Sequence, residues 1–503
     1  MSVVVRFAPS PTGGLHIGGV RTALYNYLFA RKHKGRFILR IEDTDQTRFV
    51  EGAEDYIINS LKWCGIEFNE GVHLGGPCVP YRQSERKELY AGYARQLIES
   101  GAGYYAFDTP TELDEMRARL EASGIKSPQY NSITRSTMKN SLTLPQEEVQ
   151  RRVDAGDPYV IRLKVPRKEE VRFHDEVRGW VVIHSSQVDD KVLMKSDGMP
   201  TYHMANVVDD HTMGITHVIR GEEWLSSTPL HVLLYRAFGW EDTMPKFAHL
   251  PLILKPEGTG KLSKRDADKF PQFPLAFTDA EGKTYKGFKE LGYLPEALIN
   301  FLALLGWNPG GDEEIMDLNR MTEAFSLERI GKSGTKYDLA KAEWFNQIYL
   351  RKRTDEELIE PVKIELQKEG IEIPSDEFML RFISLMKERV TFMKDFISQG
   401  RYFFETPQVY DEAFKQSKWV HEAPVWMIEI AKQFETVENW QTSELESCLK
   451  HWVSKHELSL GKVLPAFRLA ITGLGYGPVT FEVAQTIGKT ETLLRLNKAS
   501  EIK

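Results

Sequence analysis

Two short motifs carry the side chains best suited to chemistry on a phosphate-bearing substrate. The first, His16-Ile-Gly-Gly19, opens a predicted helix directly after a predicted strand. Glycine lets the backbone approach a ligand closely, and the start of a helix favours an anionic group. The imidazole of His16 can donate to phosphate oxygens as negative charge develops on them. Taken alone, this motif is better explained by a turn at the start of a helix.

The second motif, Lys261-Leu-Ser-Lys-Arg265, is a cationic loop bounded by Gly258 and Gly260 and followed by Asp266. Three cations on such a loop suit a clamp on a polyphosphate, where they would stabilise the charge on a leaving pyrophosphate. A lone surface loop of lysine and arginine is usually only solvated. The occurrence of both motifs in this order along one chain is therefore the more informative observation.

The elements that must position the first motif form a strand–helix–strand unit. Residues 3–7 are a β-branched run typical of a buried strand. From Gly18 onward, apolar residues recur at the spacing of an amphipathic helix, which Gly35 ends, and residues 36–41 form a second strand. This order predicts a parallel pair of strands joined by a right-handed crossover.

A second α/β stretch comes later, with a strand predicted over residues 214–219 and a helix over 226–237. The residues between these two stretches are predicted to form an insertion. After about Leu318 the pattern of apolar residues becomes almost wholly helical. There, apolar residues at helical spacing predict the core of a bundle: Met379, Phe382, Ile383, Met386, Val390 and Met393. The predicted fold is a multidomain α/β protein: a Rossmann-like, doubly wound domain, split by an α/β insertion and followed by an all-α C-terminal region.

Composition and charge exclude several classes of protein. The 503 residues are 41% hydrophobic and 27% charged, the balance of a soluble globular protein with more than one domain. The net charge of −7 argues against non-specific nucleic-acid binding, although two short stretches, residues 162–172 and 351–353, are basic. Three scattered cysteines do not make a disulfide framework, and neither a membrane span nor a secretory signal is visible. We therefore expect a cytoplasmic protein.

The paired motifs are typical of class I aminoacyl-tRNA synthetases, and the sequence resembles the bacterial glutamyl-tRNA synthetases among them. The resemblance extends over residues 6–13, 40–45, 81–86, 196–210, 218–224 and 292–297. It thins in the C-terminal third, where residues 467–473 and 493–496 still resemble the last helices of the family. Residues 9–13 read Pro-Ser-Pro-Thr-Gly where glutaminyl relatives typically carry Pro-Glu-Pro-Asn-Gly, which favours glutamate as the amino acid.

The resemblance implies a two-step reaction. ATP activates L-glutamate to glutamyl-adenylate with release of pyrophosphate, and the glutamyl group then passes to the 3′-terminal adenosine of tRNA(Glu), releasing AMP. Activation in this family characteristically requires bound tRNA. Mg²⁺ would travel with ATP, and the family is usually monomeric. Whether tRNA(Gln) is a second substrate is left open by the sequence.

The resemblance also implies the residues of the site. His16, Lys261 and Lys264 are the expected catalytic residues, and the ATP-binding set is His16, Gly18, Gly19, Lys261, Ser263, Lys264 and Arg265. The glutamate-binding set is Arg6, Ala8, Ser10, Glu42, Tyr202, Asn206 and Arg220. Arg6 suits the side-chain carboxylate and Glu42 the ammonium. From the residues alone, an Arg6 paired with a structural acid and a Tyr202 in the core are equally good interpretations.

Contacts with tRNA are also implied by the resemblance. The implied catalytic domain has two halves, residues 1–101 and 193–239, separated by an insertion at 102–192 that receives the acceptor end. A stem-contact domain at 240–325 carries the Lys261–Arg265 motif. The anticodon-binding region follows at 326–503. Arg468 and Pro478 are the nearest matches to positions that approach the anticodon. A buried structural role is an equally good interpretation for Arg468.

Two departures from the family pattern matter. The stretch that holds a Cys-x-Cys zinc pair in some members reads Tyr-Tyr-Ala-Phe-Asp at residues 104–108, so no zinc and no resident metal are expected. Residues 268–285 are longer than the usual connection and predict a hairpin around Glu281-Gly282, of open function. Two rival hypotheses remain: a catalytically idle tRNA-binding scaffold, and a small-molecule nucleotidyltransferase, which would not need the long helical region.

Overall fold

The computed structural model describes residues 2–258 and 260–502, apart from the side chains of Lys264 and Ser500. The chain divides into two compact units. The first comprises the residues up to 291 together with 295–342, and the second comprises 292–294 and the residues from 343 onward. Residues 326–342, which the sequence pattern assigns to the helical region, thus lie in the first unit. The finer predicted boundaries at 101, 192 and 239 stay predictions.

The described strands all lie in the first unit. They are β1 (Val4–Phe7), β2 (Arg36–Leu39), β3 (Glu70–Gly71), β4 (Gly103–Ala106), β5 (Val160–Leu163), β6 (Glu170–Asp175), β7 (Gly179–His184), β8 (Val192–Met194), β9 (His217–Gly221), β10 (Lys246–Leu250), β11 (Ile253–Leu254), β12 (Phe277–Thr278), β13 (Thr284–Tyr285) and β14 (Thr335–Lys336).

The helices fall into two groups along the chain. Those up to residue 324 are α1 (Ile17–Lys32), α2 (Ala53–Trp63), α3 (Lys87–Glu99), α4 (Pro110–Ala122), α5 (Gln146–Asp154), α6 (Tyr202–Thr212), α7 (Thr228–Ala237), α8 (Phe288–Leu291), α9 (Pro295–Ala303) and α10 (Leu318–Ala324). The later ones are α11 (Leu339–Lys352), α12 (Asp355–Lys368), α13 (Asp376–Met386), α14 (Asp395–Gly400), α15 (Glu412–Lys418), α16 (Ala423–Glu435), α17 (Thr442–Lys455), α18 (Leu460–Thr472) and α19 (Thr480–Lys498).

A mainly parallel sheet forms the centre of the first unit. β1 pairs with β2, and β2 with β3, all in parallel. β9 and β10 form a second parallel pair. Thr216, directly before β9, joins the two halves: its N–H donates to the Val4 carbonyl at 2.9 Å and its Oγ1 accepts from the Val4 N–H at 2.9 Å. The arrangement confirms the predicted doubly wound α/β fold.

The predicted insertion contributes to this sheet as well as forming one of its own. β4, β5 and β8 make a separate antiparallel sheet. The antiparallel hairpin of β6 and β7, however, extends the central sheet, because β6 pairs with β10 in parallel at Asp175 and Phe247. The insertion is therefore continuous with the catalytic fold at this edge.

The local predictions for the first two strands and their helix are confirmed within a residue or two. β1, α1 and β2 follow the predicted order, and β1 and β2 are in register from Val4 opposite Arg36 to Phe7 opposite Leu39. The later strand is shifted: it spans His217–Gly221 and not 214–219. Gly214 has a φ of 69°, a left-handed conformation that terminates α6 instead of extending a strand.

The segment 268–285 forms the predicted hairpin. β12 and β13 pair antiparallel, with Gly282 in the left-handed region at φ 83° in their turn. The segment also packs on the start of α1, since the Gln272 carbonyl accepts from the Ile17 N–H at 2.9 Å. Tyr56 on α2 donates to the Leu275 carbonyl at 2.6 Å. The segment 268–285 is therefore packed against the rest of the first unit and is an integral part of its fold.

The second unit is helical and has its own apolar core. Of the predicted core residues, Met393 is partly buried and packs against the core, and five are fully buried in it: Met379, Phe382, Ile383, Met386 and Val390. The predicted bundle core is thus confirmed. The helix itself is shorter than the periodicity suggests, because α13 ends at Met386 and a single 3-10 turn follows. Val390 thus joins the core from outside the helix.

Candidate functional site

The candidate site lies where the parallel strands of the first unit end. Open α/β sheets bind ligands outside the carboxyl ends of their strands, at the point where the strand order reverses. Here β1 ends at Phe7 and β9 at Gly221, and a cavity of about 370 Å³ opens beside both. Each predicted glutamate-binding residue lines this cavity: Arg6, Ala8, Ser10, Glu42, Tyr202, Asn206 and Arg220. We call it the amino-acid cavity.

Arg6 is held in the amino-acid cavity by a buried carboxylate. Its Nε and Nη2 donate to the two carboxylate oxygens of Asp210 at 3.0 and 3.2 Å. Arg40 donates to the same carboxylate at 2.8 Å. Burial alone would raise the pKa of Asp210, but the guanidinium groups of Arg6 and Arg40 hold that pKa below its ordinary value. The carboxylate is therefore charged and fixes both arginines.

Glu42 is a buried acidic group that lines the amino-acid cavity. Its Oε1 accepts from Arg40 Nη2 at 3.1 Å and from Asn206 Nδ2 at 3.2 Å. Burial raises its pKa, while Arg40 and Arg6 oppose that rise. A cationic ammonium brought beside Glu42 would favour the charged carboxylate further.

Arg220 lies at the end of β9 with most of its donors engaged. Nη1 donates to the Tyr202 hydroxyl at 2.9 Å, and Nη2 donates to Thr228 Oγ1 at 2.9 Å and to the Trp224 carbonyl at 3.4 Å. The Tyr202 ring packs on the Trp224 ring with centroids 4.3 Å apart. The Tyr202 ring is therefore packed, and its hydroxyl accepts a hydrogen bond from Arg220. Its predicted contact with glutamate stays a prediction.

His16 is the N-cap of α1. Its Nδ1 accepts from the Gly18 N–H at 3.0 Å, so a neutral His16 carries its proton on Nε2, the atom that a phosphate oxygen would need as a donor. The Ile17 N–H donates to Gln272. The first amide groups of the helix are thus bonded within the protein. An anion at this position could still interact with the imidazole of His16 and with the helix dipole.

A second cavity of about 310 Å³ adjoins the first and shares His16, Gly18, Gly19 and Glu223 with it. Lys261 and Ser263 line it. We call it the phosphate cavity. Lys261 Nζ donates to Glu223 Oε1 at 2.8 Å, so an anionic ligand would compete with Glu223 for this cation. The two sequence motifs, far apart along the chain, meet at this cavity.

The cationic loop is held by Asp266. Its carboxylate accepts from the Ser263 N–H at 3.0 Å and from Lys255 Nζ at 2.7 Å. These hydrogen bonds lower the pKa of Asp266 to about 2, with the contact to Lys255 the largest cause. Arg265 is exposed and lines neither cavity. The predicted catalytic side chain of Lys264 lies outside the described part of the structure.

The two predicted anticodon residues lie together in the second unit. Arg468 Nη2 donates to the Pro478 carbonyl at 2.9 Å. Nη1 of Arg468 is buried and makes no hydrogen bond with the described residues. Burial lowers the pKa of this guanidinium. The geometry thus combines a structural contact with one unused donor.

Several site residues were missed by sequence reasoning. Arg40, Asp209 and Asp210 form the buried charged layer beneath Arg6 and Glu42, and Arg86 donates to Asp209 at 2.7 Å. Arg40 and Asp210 lie within segments that resemble the family named above, but the resemblance assigned neither residue a role. Glu223, which faces Lys261, also lies in such a segment.

Neither a metal cluster nor a membrane helix is found among the described residues. No group of three or more His, Cys, Asp or Glu side chains there could hold a metal ion. No described helix is long and apolar enough to cross a bilayer. The expectation that the chain holds no zinc stays a prediction.

Comparison with known families matches both parts of the chain. Residues 2–344 match the family of tRNA synthetases class I (E and Q), catalytic domain. Residues 345–500 match the anticodon binding domain family.

Similar proteins cover almost the whole chain. A glutamate–tRNA ligase of Amoebophilus asiaticus is 56% identical over 501 residues, which is 99% of this chain and 98% of that protein. One of Cytophaga hutchinsonii is 56% identical over 502 residues, 99% of this chain and 97% of the other. The crystal structure of a glutamate tRNA ligase from Elizabethkingia meningosepticum, in complex with its amino acid, superposes with a TM-score of 0.96 at 48% identity, covering 100% of this chain and 99% of that one.

Proposed function

We propose a residue-level account of catalysis for this chain, which belongs to the class I tRNA synthetases for glutamate and glutamine and, within them, to the glutamate–tRNA ligases. It is an aminoacyl-tRNA ligase: ATP activates L-glutamate, and the glutamyl group passes to tRNA. The observation that carries the account is that Arg6, Glu42 and Arg220 line one cavity, which shares a wall containing His16 with a second cavity lined by Lys261.

The amino-acid cavity is proposed to bind glutamate through three of its charged groups, Arg6, Glu42 and Arg220. A free glutamate presents two carboxylates and one ammonium. After bonding Asp210, Arg6 retains the N–H groups of Nη1 and the second N–H of Nη2. Nη1 and Nη2 can therefore make a second, bidentate contact with the side-chain carboxylate. Glu42 would take the ammonium, and Arg220 would take a remaining carboxylate oxygen. Ala8, Ser10, Tyr202 and Asn206 complete the proposed contacts.

The phosphate cavity is proposed to bind the ATP phosphates. The α-carboxylate of glutamate attacks the α-phosphorus of ATP, the bond to the bridging oxygen breaks, and pyrophosphate leaves with the electron pair. His16 and Lys264 would stabilise charge on the transferring phosphate, and Lys261, Ser263 and Arg265 would support the leaving pyrophosphate. Gly18 and Gly19 let the backbone approach. Mg²⁺ would enter with ATP as part of the substrate.

The second step transfers the glutamyl group to the terminal adenosine of tRNA(Glu), and AMP leaves. Arg468 and Pro478 are proposed to meet the anticodon, with the partly exposed side chain of Arg468 as the contact to an unpaired base. We propose that the enzyme works as a cytoplasmic monomer. Charging of tRNA(Gln) is the open alternative for a second substrate.

Glutamylation of two transcripts, tRNA(Glu) and tRNA(Gln), tests the account, with Lys264→Ala as the control. We expect wild type to charge tRNA(Glu) and Lys264→Ala to lose at least about a hundredfold in kcat, the size of one lost oxyanion contact. Charging of tRNA(Gln) as well would make the enzyme non-discriminating. Wild type no faster than Lys264→Ala on both transcripts would refute the assignment and favour the idle scaffold.

A further inference from the structure

Three neighbouring strands place Asp175, His249 and Arg220 in a row across the carboxyl end of the sheet. Asp175 is the last residue of β6, His249 is on β10 and Arg220 is on β9. His249 is the register partner of Arg220, and Asp175 is the register partner of Phe247. Asp175 and His249 are fully buried and line neither cavity. The row therefore leads from the hairpin of β6 and β7 to the amino-acid cavity.

Hydrogen bonds connect the three side chains. His249 Nδ1 lies 2.6 Å from Asp175 Oδ2, and Arg220 Nε donates to His249 Nε2 at 3.1 Å. Since the Nε–H of arginine is always a donor, His249 Nε2 must be the acceptor, and the proton of the neutral ring is on Nδ1. Burial lowers the pKa of His249, which favours this neutral form.

The carboxylate of Asp175 is itself fixed in orientation. Its Oδ1 accepts from the Val177 N–H at 3.0 Å and from the Arg178 N–H at 2.8 Å, both in the turn between β6 and β7. Its Oδ2 is therefore the oxygen left to accept from His249. The turn thus fixes the orientation of the carboxylate, and the carboxylate fixes the ring proton of His249 on Nδ1. Nε2 of His249 is then the acceptor for Arg220.

The remaining donors of Arg220 show what this acceptor achieves. A guanidinium has five N–H groups. The contacts with His249, Tyr202, Thr228 and Trp224 engage four of them within the described structure, which leaves one N–H of Nη1 for a ligand in the cavity. Without the acceptor at His249 the Nε–H would be unpaired, and only the contacts of Nη1 and Nη2 would hold the guanidinium. The direction of the remaining donor would then be less firmly fixed.

We infer that Asp175 and His249 are positioning residues for glutamate binding, acting through Arg220. The inference rests on the proposed function, which assigns Arg220 to the substrate. Neither residue touches the substrate; their role is to hold one donor of Arg220 in the direction that the substrate carboxylate requires. Preorganisation of this kind lowers the cost of binding without adding a contact.

The substitution Asp175→Asn tests the tautomer directly. The two backbone N–H groups of the turn require an acceptor at the Oδ1 position, so the new amide nitrogen must occupy the Oδ2 position. It would then donate to His249 Nδ1 and move the ring proton to Nε2, facing the Nε–H of Arg220. We expect the KM for glutamate to rise about 10- to 100-fold, the cost of one lost hydrogen bond to a charged group. The KM for ATP should stay within about twofold.

Two variants at His249 separate positioning from structure. His249→Gln keeps an amide oxygen that can accept from Arg220, and His249→Leu does not. Partial recovery of the glutamate KM by Gln relative to Leu supports the inference. His217→Asn, on the same strand as Arg220 but bonded to Thr216, is the matched control and should leave both KM values unchanged. Thermal unfolding of each variant reports purely structural damage.

The decisive comparison uses Arg220→Ala alone and combined with Asp175→Asn. If Asp175 acts through Arg220, the double variant should have the glutamate KM of Arg220→Ala within about twofold. Independent, multiplying effects would overturn the inference, as would equal rises in the KM values for glutamate and ATP. If Arg220→Ala itself leaves the glutamate KM unchanged, the proposed substrate contact is wrong. If Arg220→Ala raises the glutamate KM but the substitutions at Asp175 and His249 do not, only the positioning inference is wrong.

Discussion

Asp210 binds Arg6 through both carboxylate oxygens, at 3.0 and 3.2 Å, and so fixes the plane of the guanidinium that lines the amino-acid cavity. The two interpretations suggested by the sequence, a structural ion pair and a substrate clamp, are therefore compatible. One edge of the guanidinium binds the protein, and the other edge can still bind a carboxylate. A rigid Arg6 loses little freedom when a ligand arrives.

Asp210→Asn is expected to destabilise the first unit. It leaves the buried guanidinium groups of Arg6 and Arg40 without the charge that both now contact. Breaking one partner of a buried ion pair typically costs about 3–5 kcal/mol in the free energy of unfolding. Urea unfolding measures the change.

The control for this prediction is Asp45→Asn, which removes an exposed ion pair with Arg48. Exposed pairs of this kind are worth less than about 1 kcal/mol. If the two variants lose equal stability, the buried layer does not have the energetic role that its geometry suggests.

Gly14→Ala is expected to weaken ATP binding, because it would displace the hairpin segment whose Gln272 carbonyl holds the start of α1. A Cβ at this position would lie 2.7 Å from Phe277 Cγ and 2.9 Å from Phe273 Cε1, too close for the hairpin segment to stay where it is. Overpacking of this kind costs about 1–3 kcal/mol. We expect the KM for ATP to rise about tenfold, and Phe277→Ala to restore most of it by removing the clash.

Gly92→Ala on α3 is the matched control, because nothing lies within 4 Å of the Cβ it would add. It should leave the KM for ATP unchanged and stabilise the helix slightly. A Gly14→Ala enzyme with normal ATP kinetics would show that the hairpin can move away freely.

Two partly buried histidines predict how stability depends on pH. Burial lowers the pKa of His203 and of His217 to about 4. In the unfolded chain both would titrate near the ordinary histidine value of about 6.5. As the pH falls from about 6.5 to about 4, the unfolded state binds protons that the folded state does not bind. The free energy of unfolding should therefore decrease through this window and keep its full value above it.

The measurement is the free energy of unfolding at several pH values, for wild type and for the double variant His203→Gln with His217→Asn. Each histidine contributes a slope of up to about 1.4 kcal/mol per pH unit. The double variant should therefore have a flatter profile between pH 6.5 and 4. Identical slopes would mean that other groups govern the acid sensitivity.

Arg468→Ala is expected to raise the KM for tRNA about tenfold and to leave the KM for glutamate unchanged, because one base contact is worth about 1–3 kcal/mol. Lys462→Ala removes a positive charge from the same helix, where Lys462 lies over the Trp426 ring. As the control, it should change the KM for tRNA less than twofold. Equal effects of the two variants would assign the result to charge alone.

The sequence predicts best those features that are local. The first strand, helix and second strand have complete periodicities and a clear stop at Gly35, and the structure agrees. The strand at 217–221 was predicted three residues too early, because Gly214 has a left-handed conformation that terminates α6 and does not begin the strand. The length of α13 was overestimated since Val390 reaches the core from beyond the helix end.

The residues of the candidate site were predictable where a motif or a resemblance marked them, as for Arg6, His16 and Lys261. Their partners were not. Asp210 lies 204 positions from Arg6, and His249 is 74 positions from Asp175. Nothing in a single sequence pairs such residues, because the pairing is created by strand order and register.

The contact between Gln272 and Ile17 has a consequence for how the enzyme is made. His16, Gly18 and Gly19, at the start of α1, line the phosphate cavity. Residues 272–277 pack against the neighbouring Gly14 and Ile17, and they are synthesised more than 250 positions later. A chain still emerging from the ribosome can form the first strand and helix, but its helix start lacks this cover until the hairpin segment has been released. The nascent polypeptide is therefore expected to acquire ATP affinity late, after most of the first unit has been translated.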